Sequence, residues 1–306
     1  MTGFDTVAMV DWSAASRPSP ARPSKDAIWL GMARRGAPFA PSYFRTRRAA
    51  EAALAGLITA ERAAGRRLLL GFDFPFGYPA GLARALTGSD DPFAVWNWLA
   101  ARITDNLRNR NNRFDVASAM NRVLPGAGPF WGKTHADRWP DIPYRKAGIT
   151  YDAIPEKRSC DRVARTSSSC FQLCYNPTVG SQVLMGLPML NRLRRLPGVA
   201  IWPFEDCATA PVVLAEIWPG LIENAVRTAT RADPEAIRDA VQVTRLATVL
   251  SRLPPSELAA MMRDLPDAAR EEAWILGATA RDRLTALAQD CGASYLETER
   301  QMRTIA

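Results

Sequence analysis

The chain holds one histidine, His135, in 306 residues. Nucleophile–imidazole triads and most histidine acid–base schemes therefore have almost nothing to be built from. Cysteine is scarce as well: Cys160, Cys170, Cys174, Cys207 and Cys291 form an odd set in a long chain, which argues against a disulfide scaffold. The first three lie close together and raise zinc as an alternative to reduced structural thiols. There is no CxxC pair and the histidine lies far upstream, so thiols are the preferred reading. No apolar run approaches the roughly 20 residues of a membrane span. A GxxxxGK[ST] phosphate loop and internal repeats are also missing. The opening Met-Thr-Gly-Phe-Asp lacks the basic start and apolar stretch of a secretory signal. These absences lead to the expectation of a cytoplasmic protein without membrane contact. If it is an enzyme, its tools are carboxylates and a metal ion.

Hydrophobic residues make up 47% and charged residues 23%, so a packed core is expected. The net charge of +8 comes from 39 basic against 31 acidic residues, mostly arginine. It favours phosphates and anionic surfaces as partners, but only weakly, since the excess is modest.

Residues 6–13 read as a buried strand ending in a polar turn, 27–34 as a second strand and 39–45 as a third. The Ser/Pro/Arg-rich stretch 16–25 is a loop. The alanine-rich segment 47–66 reads as a helix with Ala50, Leu54, Leu57 and Ile58 on one stripe. Residues 68–73 suit a central parallel strand covered on both faces. The opening order, β-β-β-α-β, is the first half of a ribonuclease H-like arrangement, though other mixed folds share it. Residues 77–198, rich in proline and carrying an amide- and arginine-rich run at 108–113, read as an insertion of short helices and long loops. Residues 199–202 and 212–217 resemble two more strands. The remainder, 220–306, is read as C-terminal helices on the sheet, interrupted at Pro254-Pro255, with Asp267 as N-cap of the last long helix. The whole is expected to be one domain.

Asp11, Asp73 and Glu216 each close an apolar run. In open α/β sheets the carboxyl ends of strands form the ligand-binding edge. Converging carboxylates repel, and a hard divalent cation such as Mg²⁺ or Mn²⁺ relieves this. For any one of them, a turn former or helix cap is the competing reading. The turns after Asp11 and Asp73 are small or sharp enough for backbone amides to face a phosphate, and Ser13 is placed to donate to the same ligand. Glu272 lies on the shoulder of a stripe formed by Ala273, Leu276, Ala280, Leu284 and Leu287, which makes it a candidate fourth acid. A solvated Glu271-Glu272 pair at a helix start is the alternative. Glu51 is a weaker candidate.

Val10-Asp11-Trp12-Ser13, Gly71-Phe72-Asp73-Phe74-Pro75-Phe76-Gly77, Phe171-Gln172-Leu173, Val179-Gly180-Ser181-Gln182, Met185-Gly186-Leu187-Pro188, Glu216-Ile217-Trp218-Pro219 and Glu272-Ala273-Trp274 appear in that order. Together they resemble domain-of-unknown-function family 429, described as predicted ribonuclease H-like nucleases. The resemblance implies a ribonuclease H-like mixed sheet flanked by helices. It also implies a metal-dependent phosphodiester-cleaving site, with Asp11, Asp73 and Glu216 as metal ligands and Glu272 as a further catalytic acid. Some members of that family carry labels tied to molybdopterin guanine dinucleotide biosynthesis, for which these residues offer no support.

On this reading two metal ions sit between the carboxylates and position a water and a leaving oxygen. Arg108, Arg110, Arg113, Arg158 and Arg165 are candidates to hold phosphates, and Trp131 and Trp139 to stack bases. Gln172 and Ser181 are candidates to order the site or touch substrate, in a stretch read as a close turn. For the arginines a solvated surface, and for the tryptophans packing of the insertion, are the competing readings. Three function classes stay open: a nuclease, a hydrolase or phosphotransferase acting on a small phosphorylated molecule, and a non-catalytic binding protein whose acids pair with arginines.

Overall fold

Thr6–Asp11 (β1) and Leu68–Phe72 (β5) are apolar almost throughout and buried along nearly their whole length. Such strands need cover on both faces, which a parallel pair at the centre of a sheet provides. In this computed structural model, which describes residues 3–176 and 178–290, they lie side by side and parallel. Ile28–Arg34 (β2) runs antiparallel on the other side of β1. Ala37–Pro38 (β3) and Ser42–Phe44 (β4) both pair with β2. A single strand over 39–45 was expected; Pro38 and Pro41 lack the N–H a ladder needs, and two short edge pieces form instead. Val212–Glu216 (β7) is parallel to β5, and Val199–Ile201 (β6) lies beyond it. The described residues thus form a seven-stranded mixed sheet in the order β3-β2-β1-β5-β7-β6, with β4 off that path on β2.

The two-residue period of the strands sorts side chains between two cores. Ala8, Val10, Leu68, Leu70 and Phe72 join one core with helices Arg47–Ala63 (α1), Pro92–Ala100 (α3) and Val179–Leu193 (α6). Val7, Met9, Leu69 and Val213 join the other with Glu223–Ala232 (α7), Arg238–Arg252 (α8) and Pro255–Arg263 (α9). Each large apolar side chain buried this way stabilises the fold by about 1.5–3 kcal/mol. Helix and sheet approach closely at Gly31 in β2, where an added Cβ would lie 2.4 Å from both the Thr244 nitrogen and the Val243 carbonyl carbon. These are backbone atoms of α8 and cannot swing away. Gly31→Ala is therefore expected to lower stability by about 2 kcal/mol, as overpacking does. Urea unfolding of the variant checks this, and an unchanged midpoint would show that α8 shifts freely on the sheet.

The insertion contains the short helices Leu82–Thr87 (α2) and Ser159–Val163 (α5), the longer Arg113–Val123 (α4), and α3 and α6. Residues 179–188, expected as a turn, are most of α6, with Pro188 inside the helix. Their glycines serve contact: a Cβ on Gly186 would lie 2.2 Å from the Phe74 ring, and one on Gly180 would lie 2.7 Å from the Cys170 oxygen.

The last helix also departs from expectation. Ala269–Glu272 (α10) is a single turn with Ala268 at its N-cap, so Asp267 does not cap it. Ala273 then adopts φ +65°, which ends the helix. Ile275 bridges to Glu216 as a short extension of the sheet, and helix resumes over 281–290 after a turn at Ala278–Ala280. The proposed stripe through Ala273 and Leu276 is therefore not helical. The remainder of the expected C-terminal helical region, 291–306 with Cys291, lies outside the described residues. Among those described, no helix is long and apolar enough to cross a membrane.

Candidate functional site: an acid pair at the strand ends

The β1–β5 register pairs Val10 with Phe72, one step before the two aspartates, and the Asp73 amide continues the ladder by donating to the Val10 oxygen at 3.2 Å. Asp11 and Asp73 therefore share a sheet face with Met9 and Gly71, the face that α8 covers. Their carboxyl groups lie in hydrogen-bonding contact with each other. Both line a cleft, yet protein surrounds them closely. Burial holds Asp11 well above the ordinary carboxyl range, and the charges of Asp73, Asp239 and Asp26 push the same way. Burial is also the main cause that pushes Asp73 up to about 7, against the bond it accepts from the Trp12 amide. Burial and mutual contact thus both favour the protonated form over a doubly ionised pair.

Asp73 is held firmly. The Trp12 N–H donates to its Oδ1 at 2.8 Å, and Gln182 Nε2 reaches Oδ2 at 3.4 Å while donating to the Trp12 oxygen at 2.6 Å. Gln182 stands on the first turn of α6, so the helix hidden by its glycines and proline orients the acid. A third carboxylate, Asp239, enters from the first turn of α8, where its Oδ2 accepts from the Asp26 N–H at 2.7 Å. Burial raises its pKa as well. No signal in the chain marked Asp239, since an acid in the first turn of a helix is ordinary dipole chemistry.

Glu216 lines the same cleft, but its hydrogen bonds go elsewhere. It pairs with Phe72 in the β5–β7 register, one step before Asp73, so it leaves the pleat in the opposite sense and reaches the cleft from that side. There Arg158 Nη1 and Nη2 donate to its two oxygens at 2.6 Å each, and the Phe76 N–H adds a bond at 3.0 Å. Arg158 also donates from Nε and Nη2 to Asp161 at 3.0 Å. The cluster is buried, with Arg158 fully enclosed. Burial works against the charge on Arg158, but Asp161 and Glu216 outweigh it and hold its pKa above the ordinary value. Burial raises Glu216, opposed by Arg158. The bidentate geometry is that of an ion pair. All three expected acids thus line one cleft, but only Asp11 and Asp73 touch each other, while Glu216 and Arg158, expected to bind metal and substrate, are held by one another and by Asp161.

Glu272 is also structural: its oxygens accept from the Ala80 and Ser159 amides at 2.9 and 2.7 Å. Glu51 is tied to Arg192 on α6 at 2.6 Å.

The aspartates lie on the floor of a cleft of about 890 Å³ that Ser13, Ser181, Arg113, Arg238, Asp239 and Arg281 also line. Ser13 Oγ donates to the Asp26 oxygen and accepts from the Ala15 amide, shaping the turn after β1. Ser181 Oγ donates to the Leu173 oxygen and accepts from Arg113 Nε. Gln172 and Arg165 are not brought to the cleft. The Gln172 amide ties down Cys174 and Tyr175, and Arg165 is exposed elsewhere, as are Arg108 and Arg110. Among the described residues no group of three or more His, Cys, Asp or Glu side chains is arranged to hold a metal ion, and the four described cysteines are buried free thiols.

Fold and site together define an α/β protein with a mixed, helix-covered sheet and a paired-acid cleft at the strand ends. Comparison of the chain with protein-family models, with curated proteins and with solved structures gives no match in any of the three.

Proposed function

We propose that the protein is a metal-dependent phosphodiester hydrolase of ribonuclease H-like fold, with Mg²⁺ or Mn²⁺ held by Asp11 and Asp73. The observation that carries the reading is the Asp11–Asp73 pair itself: two carboxyls in contact at adjacent strand ends, facing a cleft, with no arginine or lysine among the described residues bonded to either. Supporting it are the order of an antiparallel β3-β2-β1 edge followed by parallel strands, the crossover helix α1 between β1's sheet edge and β5, and the likeness to family 429 at both aspartates.

The donor set suits a hard cation. Mg²⁺ is often held by one or two carboxylates, with waters and substrate phosphate completing its shell. Two carboxylates in contact meet that description for one ion. A two-metal arrangement through Glu216 is not proposed, since Arg158 neutralises that acid. A bound ion would polarise a phosphoryl oxygen and lower the pKa of a water. The chain's own part is to keep Asp73 oriented through Trp12 and Gln182, to add the negative field of Asp239, and to present Arg113 to phosphate oxygens.

A non-catalytic binding protein is the second reading, favoured by the arginine pairing of Glu216. Purified protein incubated with Mg²⁺ or Mn²⁺ and labelled single-stranded, duplex and branched substrates separates the two. Cleavage is expected, and Asp11→Asn or Asp73→Asn should reduce it by about 10²–10³-fold, the scale on which losing a key electrostatic group acts. No cleavage by the wild type, or equal cleavage by the variants, rejects the hydrolase.

A further inference from the structure

A second, smaller cavity of about 260 Å³ adjoins the acid cleft, and Arg113 lines both. Arg113 is the first residue of α4 and makes three side-chain hydrogen bonds, to Ser181 Oγ, Ser16 Oγ and Asn111 Oδ1. All three acceptors are neutral oxygens, so its positive charge is held in place but not cancelled. In the small cavity Arg113 lies over the Phe114 ring at 4.6 Å, Phe114 stacks on Trp139 at 4.5 Å, and Arg138 lies over Trp139 at 4.3 Å. Two guanidinium groups are thereby propped on one stacked aromatic pair. Cation–π contact orders an arginine without neutralising it. The one carboxylate lining the cavity, Asp115, accepts from Trp139 Nε1 at 2.6 Å and fixes the indole. Trp139 holds this position with a left-handed backbone, φ +53°, uncommon for a bulky residue.

We propose that this cavity is a second phosphate subsite, and that Arg113 and Arg138 carry the backbone of a single-stranded nucleic acid from the acid pair out along α4. The inference rests on the hydrolase reading for the place of the scissile phosphate, and it selects among its substrates. A mononucleotide fills the cleft alone, whereas a strand has a neighbouring phosphate that needs a cation where Arg138 stands. Backbone contacts of this kind are sequence-independent and salt-sensitive. The arginines are pre-ordered, so little side-chain entropy is lost on binding.

Fluorescence anisotropy with labelled hexathymidylate, in EDTA so that neither metal nor cleavage enters, tests this against thymidine monophosphate as competitor. Arg138 is exposed, so Arg138→Ala is expected to fold. It should weaken hexathymidylate binding roughly tenfold and lower the slope of log affinity against log salt by about one, the signature of one lost phosphate contact. Thymidine monophosphate should bind wild type and variant alike. Arg138→Lys keeps the charge and should retain the slope, which a merely structural role would not predict. Failure of the wild type to bind hexathymidylate overturns the proposal, as does equal binding by Arg138→Ala or an equal loss for both ligands. Binding that depends on Arg138 without any cleavage in Mg²⁺ or Mn²⁺ leaves the subsite standing and removes the hydrolase reading. Cleavage indifferent to Arg138 does the reverse.

Discussion

Arg158→Ala should lower the stability of the protein by about 3–5 kcal/mol, the range seen when one partner of a buried ion pair is removed. The guanidinium is fully enclosed between Glu216 and Asp161, which it contacts through four hydrogen bonds of 2.6–3.0 Å. Removing it leaves two carboxylates facing each other in the core, and β7 loses what holds its final residue in register beside Phe72. Glu216→Gln should be much milder, near 1 kcal/mol, because the amide oxygen still accepts from Arg158 and the Phe76 N–H. Introduced on top of Arg158→Ala, Glu216→Gln should restore part of the loss, since it removes one of the orphaned charges. Urea unfolding of the three variants measures these terms. A loss below about 1 kcal/mol for Arg158→Ala would mean that water reaches Glu216, and would return that acid to the set of possible metal ligands.

Asp11→Asn should act in the opposite direction, making the metal-free protein more stable at pH 8 while removing its response to metal. Asp73 titrates near 7 in the folded protein, above its ordinary value of 3.8. A raised carboxyl contributes stability that is fully present below the unfolded pKa and is lost as pH climbs through the folded one. The wild type should therefore weaken between about pH 4 and pH 7 by on the order of 3–4 kcal/mol through this group, at 1.36 kcal/mol per pKa unit. In Asp11→Asn the other raised carboxyl no longer titrates, so its share of the destabilisation disappears, while the slope from Asp73, which burial causes, remains. The variant should be more stable than the wild type at pH 8, with the gap narrowing as pH falls towards the ordinary carboxyl range. Excess Mn²⁺ should raise the wild-type Tm at pH 8, since a ligand at 100 times its Kd adds about 2.7 kcal/mol, and should leave the variant unmoved. A variant no more stable than the wild type at pH 8, together with a wild type whose Tm ignores Mn²⁺, would remove the case for a metal at these aspartates. The lost stability arises chiefly from burial of two neighbouring carboxyls, whose ionised forms a cation would favour.

Much of the central sheet was legible because its strands are continuous apolar runs. Val7–Val10, Leu68–Leu70 and Val212–Ala215 have no amphipathic alternative, and short runs of this kind fit buried parallel strands. The positions of Asp11, Asp73 and Glu216 at their ends followed directly. What the runs did not reveal was which acids meet. Asp11 and Asp73 each stand one residue beyond the paired Val10 and Phe72, whereas Glu216 stands opposite Phe72 itself. That one-residue offset, decided by strand register, reverses the face. The misreadings at α6 and at the last helix have a common cause. Glycine and proline between 180 and 188 are turn signals by local propensity, but tertiary contact with Phe74 and Cys170 needs the glycines inside a helix. Conversely, the helical spacing after Glu272 was sound locally and was broken at Ala273, where the chain turns to bring Ile275 beside Glu216.

The sequence by itself determined a mixed α/β chain with apolar central strands, acids at their ends and little histidine, because burial of apolar runs and the two-residue period of a strand are local properties. Only the tertiary structure decided that Asp11 and Asp73 touch while Glu216 is held by an arginine, that Asp239 arrives from α8, and that Arg113 lines two cavities. Those outcomes depend on register and on helix docking between segments as far as 213 residues apart, a separation over which no local pattern carries information.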